Sequence, residues 1–150
     1  MLDVLPKLNP QSWVALELSS FQLFDLKKSP HIAVILGITS EHLDWHKDKK
    51  EYQEAKKSIV RYQKSDDFAV INQDFPVSKS FGTESSSKVY FFSTKEKTKG
   101  VYIYKDKLVS EISAHEEICR IENVLLPGRH NLQNVAAATS VAKILSLDNK

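Results

Sequence analysis

Glu17, His42 and Lys56 are the residues of this chain whose types invite chemistry. Glu17 lies near the end of an apolar run, Trp13–Leu18. A carboxylate there is costly if buried alone. It is therefore either a ligand for a cation or one half of a private structural pair. His42 sits in T-S-E-H-L-D-W-H at 39–46, a polar stretch rich in metal-capable groups. A carboxylate and an imidazole meeting in a crevice suit a divalent cation. Lys56 is the odd member, because an ammonium repels a metal. It could instead bind an anionic substrate. Alternatively, burial could lower its pKa, and the neutral amine could take up carbon dioxide as a carbamate, which serves a metal as a carboxylate does. The plainer reading leaves Lys56 at the edge of a helix stripe with its head in water.

These three residues need elements to position them. Trp13–Leu18 is a near-continuous apolar run, as expected of a strand covered on both faces. Ser19 and Ser20 are good helix-start residues, and a short helix or turn over Phe21–Leu26 must end before Pro30. His31–Ile38 reads as a second buried strand, and a helical crossover between the two implies a parallel pair. Their carboxyl ends then share one edge, where α/β sheets bind ligands. Asp48 to Gln63 reads as a helix, with Asp48 as cap and Glu51 three residues on. Its inward stripe is Tyr52, Ala55, Ile59 and Val60, and Lys56 falls on the same side.

Further strands are expected at 67–72 and 88–92, with residues 73–87 mostly loop. Val101–Val109 reads as a hairpin belonging to a small antiparallel sheet, and one more strand falls within 117–126. After Pro127–Gly128 a helix opens, with Val135, Ala138, Ala142 and Leu145 on one face. Asn131 and Asn134 stand near its start, where Asn131 is a candidate N-cap and Asn134 a first-turn polar residue. The expected fold class is α/β: a mainly parallel sheet flanked by helices, with strands near 13–18, 32–38, 67–71 and 88–92, all in one domain.

Composition narrows the function classes. With 150 residues and 41% hydrophobic content, the chain can bury a sizeable core. Its net charge of +2 is too small to argue for nucleic acid or an anionic membrane. The single cysteine, Cys119, excludes an internal disulfide and a multi-cysteine zinc site. No apolar run approaches a membrane span, the start lacks the features of a signal peptide, and the expected location is cytoplasmic. The four glycines are not spaced for a phosphate loop or a dinucleotide fingerprint, and Ser19 and Ser20 lack a nucleophile-elbow pattern.

E-L-S-S-F-Q-L at 17–23, T-S-E-H-L-D-W-H at 39–46, Y-Q-E-A-K at 52–56 and G-R-H-N-L-Q-N at 128–134 occur in the order found in the Mur ligases. The resemblance covers residues 10–147, and the S-S-F-Q-L form is closest to the D-glutamate-adding branch. It implies an ATP-dependent, amide-bond-forming ligase of peptidoglycan precursor synthesis, acting on UDP-N-acetylmuramoyl-L-alanine and D-glutamate through an acyl phosphate. By position, Glu17 resembles the residue that holds Mg2+ at the ATP phosphates, and His42 a ligand of a second Mg2+. Lys56 resembles the lysine that the family carbamylates to hold that second ion; His42 and Lys56 are thus its candidate catalytic pair. Ser19 and Gln22 match residues on the UDP-sugar side, and Asn131 and Asn134 match residues near the nucleotide.

The family's phosphate loop belongs upstream of these motifs, and Glu41 stands where aspartate is more usual. The expectation is therefore a piece of the central, ATP-binding domain without the amino- and carboxy-terminal domains. Such a piece would be inactive alone and would self-associate through an exposed apolar edge. The alternatives are another Mur ligase, a folylpolyglutamate synthase-like member, or a non-catalytic α/β binding module.

Overall fold

The computed structural model describes residues 2–39 and 46–147. A 3-10 turn, Leu2–Lys7, leads into an extended segment and then helix α1, Ser20–Phe24. There follow β1 (Ile32–Ile35), α2 (Lys49–Arg61), β2 (Phe68–Asn72), α3 (Pro76–Glu84) and β3 (Lys88–Ser93). The chain ends with β4 (Gly100–Tyr104), β5 (Lys107–Ser110), β6 (Glu116–Arg120) and α4 (Arg129–Ile144). The strands form one six-stranded sheet whose spatial order is the chain order. β1 to β4 are parallel, and β5 and β6 are antiparallel to their preceding neighbours.

Alternation along the strands sorts the core into two faces. Ala33, Ile35, Ala69 and Ile71 point to one side and pack with Val60 of α2 and Phe81 of α3. Val70, Phe92, Val101 and Leu108 point to the other and pack with Ala136 and Ala137 of α4. Both sides of β2 are therefore covered, which is why it reads as an unbroken apolar run.

Four expectations need correction. Residues 13–18 form no strand: they are extended but outside the sheet, with Trp13 63% and Leu16 54% exposed. A strand requires a neighbour for its backbone groups. Here an open slot of about 880 Å³ lies between residues 15–18 and β1.

Residues 73–87 are not mostly loop, since they contain α3. Pro76 supplies the preset φ of a first helical residue, and Val77 and Phe81 pack inward one turn apart.

The hairpin does not start a separate sheet. β4 begins beside the end of β3, pairing Phe91 with Gly100 and Ser93 with Tyr102, so a six-residue link suffices for a parallel step. Asp74 fastens that link by accepting bonds from the Ser93 hydroxyl (2.5 Å), the Thr94 N–H (2.9 Å) and the Thr94 hydroxyl (2.8 Å). Gly100 is required there: a Cβ would lie 1.9 Å from the Phe91 carbonyl oxygen.

Finally, of the residues expected along one face of α4, Val135 packs on the core but Ala138 is exposed, and the fully buried residues are Ala136, Ala137 and Ser140. Small residues let this helix approach the sheet closely, while Ala138 turns toward the slot.

Candidate active site

α1 is built by its own first turn. Ser19 is the N-cap, its Oγ accepting from the Gln22 N–H at 3.3 Å, while the Gln22 side-chain oxygen accepts from the Ser19 N–H at 2.9 Å. This reciprocal capping box fixes both residues that the motif assigns to the sugar-nucleotide side. The Ser19 hydroxyl also donates to the Gln22 oxygen at 3.0 Å. Immediately upstream, Glu17 is exposed at the mouth of a pocket of about 410 Å³ that Ser19, Gln22, Tyr52 and Lys56 also line.

α2 brings Lys56 to the same place. Asp48 caps the helix, accepting from the Glu51 N–H at 2.9 Å, and Tyr52 and Ala55 are buried beneath it. Lys56 is half-buried on their flank and borders both this pocket and the larger slot. It thus shares the lining of both with Glu17.

Across the slot stand Thr39, just past β1, and Asn134 on α4. Asn131 is not the N-cap; Gly128 is, at φ +92°. Asn131 instead lies in the first turn, where its Nδ2 donates to the Pro127 carbonyl at 2.6 Å and its Oδ1 accepts from Asn134 Nδ2 at 3.1 Å. The two asparagines are therefore linked, and Asn134 carries the pair to the slot.

Glu17 and Lys56 border both hollows, with Ser19 and Gln22 lining the smaller pocket and Asn134 the larger slot beside the carboxyl end of β1. His42 lies outside the described residues. His46, from the same metal-capable stretch, is withdrawn from the cleft. It is buried at 2% exposure, with Nε2 2.9 Å from the Ser20 hydroxyl.

The described donors fit Mg2+, which prefers oxygen ligands and uses one or two carboxylates beside substrate phosphates. Glu17 supplies one carboxylate, and a carbamate on Lys56 would supply the equivalent of another. Among the described residues there is no group of three histidine, cysteine or acidic side chains that could hold a metal unaided.

Sequence reasoning missed Ser78. Its hydroxyl donates to the Leu36 carbonyl at 2.8 Å and accepts from the Ile38 N–H at 3.0 Å, holding the chain as it leaves β1 for the cleft. The signal was Pro76, which marks the helix that carries it.

A family model, the Mur ligase middle domain, matches residues 4–142. The chain belongs to the Mur ligase middle domain family. The UDP-N-acetylmuramoylalanine–D-glutamate ligase of Clostridium kluyveri is 41% identical over 138 residues, covering 91% of this chain and 30% of that protein. The corresponding ligase of Listeria monocytogenes is 40% identical over 140 residues, covering 92% and 30%. This Mur ligase chain thus spans about a third of the length of the curated relatives it matches.

Among solved structures, a UDP-N-acetylmuramoyl-L-alanyl-D-glutamate–2,6-diaminopimelate ligase superposes with a TM-score of 0.66 at 24% identity, over 88% of this chain and 29% of that one. A MurF ligase of Thermotoga maritima in complex with ADP gives 0.54 at 21% identity, over 80% and 29%. These likenesses establish a shared α/β fold. Among the described residues no helix is long and apolar enough to cross a membrane.

Proposed function

We propose that the protein carrying this chain is an ATP-dependent ligase that adds D-glutamate to UDP-N-acetylmuramoyl-L-alanine, and that this chain is part of its central domain. The observation that carries the reading is that Glu17 and Lys56, far apart in sequence, line one cleft with Ser19 and Gln22. Identity near 40% to D-glutamate ligases, against 24% or less to the other solved family members cited above, favours D-glutamate as the amino acid added.

In this reading a substrate carboxylate oxygen bonds to the terminal phosphorus of ATP, and ADP leaves. The neutral amine of D-glutamate then attacks the acyl carbon, and inorganic phosphate departs. Ser19 and Gln22, locked by their mutual bonds, present a rigid edge to the sugar nucleotide. Asn131 and Asn134 hold the nucleotide from α4. Glu17, His42 and a carbamylated Lys56 would hold Mg2+, which when bound supplies positive charge against the phosphates. In this reading the slot beside β1, lined by Leu23, Val34 and Val141 as well as by polar side chains, takes the phosphate-loop strand of the whole protein. A cytoplasmic location agrees with the lone cysteine.

The test is phosphate release by the full-length protein, measured with ATP, UDP-N-acetylmuramoyl-L-alanine and a panel of amino acids. Release only with D-glutamate, lost by at least about a hundredfold in Glu17→Ala and Lys56→Ala, is the expected result. Release with another amino acid overturns the substrate. Undiminished turnover in both variants overturns the site.

A further inference from the structure

His46 lies where α1 meets the first turns of α2, and the cleft opens beside that meeting. Its ring is stacked on Phe21 of α1, with centroids 5.8 Å apart and planes 2° from parallel. Tyr52 of α2 meets it edge-on at 5.4 Å, and Phe24 of α1 lies tilted at 6.2 Å. Nε2 is 2.9 Å from the Ser20 hydroxyl, while Nδ1 is 3.6 Å from a carboxylate oxygen of Glu51 on α2. That same oxygen accepts from the Lys47 N–H at 2.7 Å, so the carboxylate is itself oriented by the chain next to His46. A buried imidazole is an expensive choice for a spot that a leucine could fill. What it adds is direction: one nitrogen faces each helix.

We propose that His46 is a positioning residue for the cleft, setting the spacing between Glu17 and Lys56 by clasping α1 to α2. Glu17 is three residues before Ser20, and Lys56 is five residues after Glu51, so the clasped groups belong to the two segments that carry these side chains to the pocket. It touches no reacting atom in this scheme, and its effect passes through the groups it aligns. Such indirect alignment is sensitive, because displacements near 1 Å at a reacting centre can cost on the order of a hundredfold in rate.

The proposal rests on the Glu17–Lys56 reading above, so Glu17→Ala is run alongside. In the full-length protein, His46→Leu is expected to lower kcat by at least about tenfold and to weaken Mn2+ binding in the presence of ADP by a similar factor, read by electron paramagnetic resonance. Leu108→Ala, in the core of the opposite sheet face, serves as the control for lost stability. At a temperature where both variants are folded it should leave both quantities within about twofold of the parent. His46→Gln, which keeps a polar reach toward Ser20, should recover most of the loss. If His46→Leu does not fold, Ser20→Ala removes one clasp alone and should still reduce Mn2+ affinity by about threefold. Folded His46→Leu with unchanged kcat and Mn2+ affinity overturns the proposal, as does a loss equalled by Leu108→Ala. If Glu17→Ala is itself silent, the failure lies with the site reading and not with the clasp.

Discussion

Two apolar stretches of this chain, Trp13–Leu18 and β4, meet different fates. Val101 and Tyr102 in β4 are buried at 0% and 2% exposure. Trp13, Val14 and Leu16 are each more than half exposed, although both runs contain four consecutive apolar residues. The difference is partnership. β4 finds β3 on one side and β5 on the other, and Gly100 removes the only steric obstacle to the first contact. Residues 13–18 face a slot instead of a backbone, so their N–H and C=O groups have no ladder to join. Apolar composition brings a segment to the sheet, and an adjacent edge makes it a strand.

The most severe way to break this contrast is Gly100→Val. The new side chain would overlap the Phe91 carbonyl, and separating β3 from β4 should cost more than about 4 kcal/mol, enough to abolish cooperative unfolding in urea. A native-like transition would show that β4 joins the sheet without close approach.

A paired test sharpens the comparison. Leu108→Ala in the closed half should cost about 2–5 kcal/mol, whereas Leu16→Ala at the open edge should cost less than about 0.5 kcal/mol. Equal losses in denaturant midpoints would mean that the slot is closed in solution.

The smallest effect concerns Asp67, which ties the start of β2 to the chain before β1. The Lys64 backbone N–H, at 2.8 Å, and then the His31 ring, also at 2.8 Å, hold its carboxyl below the usual carboxylate range. A carboxylate depressed in the folded state stabilises fully above its unfolded pKa. That stabilisation is lost as pH falls through the lower folded value. Asp67→Asn should therefore cost about 1 kcal/mol at pH 7 and progressively less on acidification, as thermal melts across pH 2 to 7 would register. A cost independent of pH would assign the effect to shape alone.

Much of the parallel sheet was legible because β1, β2 and β3 announce themselves as apolar runs, β2 being buried on both faces. α2 was legible through its cap and stripe. α3 was not, because S-K-S and G-T-E dilute the pattern and the only start signal is Pro76. The merging of the hairpin with the main sheet was not legible either. It depends on where β4 begins relative to β3, which no periodicity encodes.

In the cleft, Glu17 and Lys56 were singled out by the order of the motifs, although the strand expected to carry Glu17 is not formed. The link between Asn131 and Asn134 was not, because either residue alone passes for a cap. His46 was grouped with metal-capable neighbours on residue type, whereas its burial between two helices is a tertiary fact.

Because every strand lies beside the one made just before it, this sheet can be assembled in the order of synthesis. A chain leaving the ribosome adds β2 to β1, β3 to β2, and so on, with no strand left waiting for a distant mate. Among the described elements α4 reaches back, closing over β2, β3 and β4 once they are in place, and so seals the second face of the core.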